Sequence, residues 1–195
     1  MAKRVVIPNI SSLCTNYRND LQFAVKNDNE LRCAIRNRTG NYIERSIRLK
    51  LGCLFNQTNR WIDTLLKMDP VAYADAKSVY WLHIQKRHDG QVKFANKVLP
   101  IVEKLDFEDK DVMNELKARY GMFLDICMMN NDATIVPTLI EDFVWHSHMT
   151  DHKEYVRMTT ELFGRILGHR TDIDMKKADM ETKKIRDEYM KSKGL

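Results

Sequence analysis

Chain breakers are scarce in this sequence. Seven glycines and four prolines in 195 residues leave few turn-forming positions, which argues against a turn-rich β fold and for helices. No uninterrupted apolar run reaches the ~20 residues that a membrane-spanning helix needs, so no membrane span is expected. The start, "MAKRVVIPNISS", carries two basic residues but neither an apolar stretch nor a small-residue cleavage site. It does not read as a secretory signal, and an intracellular protein is expected, cytoplasmic or within a virion. Cysteine is sparse as well. Cys14, Cys33, Cys53 and Cys127 stand singly, without the close pairing of a zinc knuckle or the density of a secreted scaffold. They read as reduced, mostly buried thiols serving as small apolar residues.

What the chain does have is the composition of a folded protein, 44% hydrophobic and 30% charged, with a net charge of +5. Basic residues cluster in "RCAIRNRTGNYIERSIRLK" and in the tail "KKADMETKKIRDEYMKSK". Acids interleave the tail, and neither cluster spaces aromatics as a base-stacking platform requires. Arg45, Arg48 and Lys50 therefore read as a solvated helix face. Other proteins are the expected partners, with nucleic acid secondary.

Helical periodicity recurs along the chain. It predicts helices near 17–27, 29–37, 42–68, 69–87, 91–104, 109–130, 137–149, 151–167 and 173–192. Asp69-Pro70 and Gly90 supply start and stop signals. The expected architecture is all-α: a single domain, residues 1–195, of about eight helices. Residues 173–195 form a charged, peripheral C-terminal helix. A C-terminal helical hairpin carries the "WHSH" motif.

Chemistry concentrates in "EDFVWHSHMTDHKEY", which holds three of the six histidines. On a helix each residue advances ~100°, so His146 and His148 point about 200° apart and cannot grip one ion. Asp142 with His146, and His148 with His152, do share faces at i and i+4. Asp151 followed by Glu154 resembles a capping box, which starts a second helix there. Folding the hairpin about 150/151 sets His146 opposite Tyr155 and Asp142 opposite Thr159. A polar cluster of Asp142, His146, Tyr155 and Thr159 is expected, with Trp145 filling the core and His148 facing away, exposed or paired with Asp151. His83 and His88 read as surface residues. The cluster serves one of two ends: Asp142 and Tyr155 orient His146 for proton transfer or ligation, or the cluster is a satisfied structural element of the core.

The run "DFVWHSHMTDHKEYVRMTTELFGRILGH" resembles the signature of the glycine-rich domain-containing protein-like family. Asp142, Trp145, His146, His148, Tyr155, Phe163, Gly164 and His169 match its pattern in order and spacing, within residues 139–170. Thr159 stands where the family has a cysteine, and the glycine-rich segment is missing. The resemblance implies an α-helical module linked to macromolecular binding, without a reaction to carry over. Unless Gly164 ends the helix and bends the chain back, His169 lies roughly 15 Å or more from His146. Phe163 and Gly164 then read as packing and close-approach residues at the open end of the hairpin.

The expected function is that of a non-enzymatic helical interaction or structural protein, a component of a larger assembly such as a nucleoprotein or a virus particle, with no cofactor. The alternative is a metal-binding protein or metal-dependent enzyme holding zinc or iron through Asp142, His146, His148 and His169.

Overall fold

A computed structural model of the chain describes residues 6–29, 32, 88–130, 133–168 and 174–194. These residues form six helices and no strand: α1 (Ser11–Lys26), α2 (88–102), α3 (Lys110–Met129), α4 (Leu139–Thr150), α5 (His152–Phe163) and α6 (Met175–Lys193). The helices expected over 29–37, 42–68 and 69–87 lie outside the described residues, apart from positions 29 and 32, which are helical. No helix among the described residues is long and apolar enough to cross a membrane.

The single domain expected from the sequence is described here as two compact units, Met1–Ser12 with Asp106–Leu195, and Leu13–Leu105. In the second unit, α1 buries Cys14, Tyr17 and Leu21 and α2 buries Val92, Ala95, Val98, Leu99 and Val102, each set at helical spacing. Tyr17 Oη donates to Gln91 Oε1 at 3.0 Å, and Arg18 Nη1 donates to the Leu105 carbonyl at 3.1 Å.

The first unit is built on α3. Asp109 caps its N-terminus by accepting from Asp111 N at 2.7 Å and Val112 N at 3.3 Å. Met113, Leu116, Tyr120, Phe123, Leu124, Ile126 and Cys127 are buried along it. α4 opens on a capping box: Thr138 Oγ1 accepts from Glu141 N at 3.3 Å while Glu141 Oε2 accepts from Thr138 N at 2.7 Å. Its burial is nearly complete, taking in Glu141, Phe143, Val144, Trp145, Ser147, His148 and Met149. A helix buried on most of its circumference has neighbours on more than one side, and α4 lies against both α3 and α5.

The turn at Thr150 and Asp151 is the one the sequence predicts. Asp151 closes α4 through its N–H to the His148 carbonyl and opens α5 by accepting from Glu154 N at 3.2 Å. Gly164 ends α5 in the left-handed conformation, φ 68°, its N–H bonded to the Thr160 carbonyl. A β-carbon there would meet nothing within 4 Å, so Gly164 supplies backbone freedom and not the close approach expected of it.

Candidate functional site

The site is the interior of the α4–α5 hairpin where it meets α3. Trp145, 4% exposed, packs on Phe123 with ring centroids 5.1 Å apart, and its Nε1 donates to Tyr155 Oη at 2.9 Å. Tyr155 Oη donates in turn to the Leu167 carbonyl. Thus the chain beyond Gly164 does fold back onto the hairpin. The indole proton, the phenol and a main-chain carbonyl form one buried relay that ties α4, α5 and the segment after α5 together.

His148 is the centre of this interior. It is 0% exposed, and its Nδ1 shares a hydrogen bond of 3.0 Å with Tyr120 Oη on α3. Its ring meets Tyr120 and Tyr155 edge to face, at 5.8 and 5.3 Å. Nε2 has no hydrogen-bond partner among the described residues. Burial lowers the pKa of His148 to about 4, against the opposing pull of Glu154 and Asp151, so the imidazole is neutral at pH 7. Burial likewise raises the phenol of Tyr120 well above its ordinary value.

These positions reverse one expectation. The sequence places His146 inward and His148 outward; the structure buries His148 and leaves His146 on the half-buried face of α4. The angular argument itself holds, because the two rings do leave the helix on different sides. Its direction fails because Tyr120 of α3 and Tyr155 of α5 together enclose the His148 ring. His146 Nε2 stands 3.5 Å from Asp142 Oδ1, as the i, i+4 spacing predicts. The bridge across the hairpin is a different one. Tyr155 meets Trp145 and His148, and Thr159, though fully buried, turns its Oγ1 to the Tyr155 carbonyl of its own helix at 2.8 Å. No hydrogen bond joins Asp142 to Thr159 among the described residues. Phe163 is half-buried and Gly164 exposed at the end of α5.

Among the described residues, no three His, Cys, Asp or Glu side chains gather where they could hold a metal ion. Asp142 and His146 share one face of α4 while His148 is committed to Tyr120 on another. His169 lies outside the described residues.

Three participants escaped the sequence reading. Tyr120 reads there only as a stripe residue of α3. Glu141, 2% exposed, both caps α4 and accepts two guanidinium nitrogens of Arg186 on α6, one at 2.9 Å and the other closer. The i, i+3 capping pattern Thr138/Glu141 was the available signal. In the second unit His88 is not at the surface: it is 4% exposed, with Nε2 2.6 Å from Asp28 Oδ1. Burial pushes the Asp28 carboxyl up, but bonds to Arg32 and His88 outweigh it and hold the pKa below the ordinary value. Arg32 also pairs with Asp89.

Compared with known protein families, with curated proteins and with solved structures, the chain matches none.

Proposed function

We propose that the chain is a non-enzymatic helical protein that acts by binding other proteins, as a component of a larger assembly such as a nucleoprotein or a virus particle. The observation that carries this reading is the enclosure of His148, fully buried and bonded between neighbouring helices. An acid–base catalyst needs a proton-transfer path to substrate, and a group sealed between Tyr120 and Tyr155 offers none. The nearby thiol gives no nucleophile either: burial pushes Cys127 up to about 12, which keeps it protonated at neutral pH. The resemblance over residues 139–170 fits this reading, since it implies a module for macromolecular binding and not a reaction.

One observation favours the alternative, a metal-binding protein using Asp142, His146, His148 and His169. Asp142 and His146 form a ligand-type pair on a face that is not sealed, their side chains 20% and 16% exposed. Two ligands alone hold zinc or iron poorly, so this stays the second reading.

The test is the hydrodynamic size of the chain in a gentle extract of its native source. Elution in an assembly well above the 23.0 kDa of the free chain supports the proposal. Elution as a free 23.0 kDa monomer at every concentration contradicts it.

A further inference from the structure

α6 is attached to the first unit with few fully buried side chains, while Ile185, Tyr189 and Met190 are half-buried. Of its 19 residues only Ala178 and Thr182 are buried. Its attached side runs through Ala178, Thr182, Ile185, Arg186 and Tyr189, the spacing of a single helical stripe. An ordinary surface helix fills that stripe with apolar side chains; here three of the five are polar, and each is bonded. Thr182 Oγ1 accepts from Val136 N at 2.9 Å. Arg186 grips both oxygens of Glu141, and its Nη2 also donates to the Val136 carbonyl at 3.3 Å. Tyr189 Oη donates to Asp125 Oδ2 on α3 at 3.2 Å.

This distribution separates the helix from the core energetically. Hydrophobic attachment grows with apolar area, and of the apolar side chains of α6 only Ala178 is fully buried. Polar bonds are exchanged against water when a helix lifts, so their net hold is modest. Elements with few buried apolar contacts open locally at the low end of the stability range. Glu141 keeps its second role when Arg186 leaves, because Thr138 N still donates to it, so the N-terminal cap of α4 survives.

We propose that α6 is a releasable strap, lifting as one unit from the Arg186–Glu141 latch while α3, α4 and α5 stay folded.

Amide hydrogen exchange on the full chain tests this. In the wild-type chain, the amides of α6 exchange together and faster than those of Leu116–Cys127 in α3. Arg186→Gln speeds α6 about tenfold or more, the factor expected from losing a charge-assisted bond, and leaves α3 unchanged. The milder Tyr189→Phe speeds α6 by a smaller factor. Exchange of α6 at the rate of α3 in the wild-type chain overturns the proposal, as does equal acceleration of both helices in Tyr189→Phe.

Discussion

Tyr120 and His148, 28 residues apart in the chain, share a buried hydrogen bond of 3.0 Å that joins α3 to α4. The bond consumes one nitrogen of a histidine whose other nitrogen has no partner among the described residues. A neutral imidazole tolerates that position far better than an imidazolium, which desolvation penalises.

Stability therefore depends on pH through His148. In the unfolded chain the imidazole takes a proton near its ordinary 6.5, and in the folded chain only near 4. Between those values the unfolded state binds the extra proton, so stability falls as the pH falls through this window. The contribution is complete above about pH 6.5, and no more is lost below about pH 4. The gap between the two values limits the effect to about 3 kcal/mol. Urea unfolding from pH 4 to 7.5 measures it, with a clearly shallower slope expected in His148→Leu; an unchanged slope excludes this source.

Trp145→Ala removes a buried indole from between Phe123 and Tyr155. The expected loss is ~3–5 kcal/mol in denaturant unfolding. An unchanged midpoint means that the indole does not help hold the hairpin to α3.

Tyr155→Phe keeps the ring and deletes one hydroxyl, leaving Trp145 Nε1 without its acceptor and the Leu167 carbonyl without that donor. A loss of about 1–3 kcal/mol follows from stranding buried polar groups. Faster proteolysis just beyond Gly164 should accompany it, because the Leu167 contact pins that segment.

At Gly164 the only obstacle to a side chain is the backbone, since φ is 68° and space is open. Gly164→Ala should cost about 1 kcal/mol, and Gly164→Asn less, as asparagine tolerates the left-handed region. Thermal melts of the two variants give the comparison; equal stability of Gly164→Ala and wild type contradicts the cap.

Local signals in the sequence predict some of these elements well, although Gly90, expected as a stop, lies inside α2 and the helix expected to reach 167 ends at Phe163. The helix expected at 109–130 is observed as Lys110–Met129, and the hairpin turn falls where Asp151 and Glu154 place it. Periodicity and capping depend on neighbours a few residues apart, which a sequence displays directly. α1 begins at Ser11 and not near 17, because Ser11 and Ser12 lack the apolar spacing that marks a stripe. The direction of His148 is a different kind of fact. It depends on Tyr120 of α3 reaching the ring that Tyr155 of α5 also meets, a long-range packing choice that a two-helix reading leaves out. The near-continuous burial of 143–149 apart from His146 is the consequence, and the apolar run "FVW" was its one trace in the sequence. Arg186 finding Glu141, 45 residues away, left no local signal at all.

His148 joins α3 to α4, and we propose that neither it nor His146 serves a metal. The most direct test is the zinc and iron content of full-length chain purified without a histidine tag. The account predicts a substoichiometric content that His146→Ala does not change. Stoichiometric zinc or iron, lost in His146→Ala while the helical fold is retained, would contradict it.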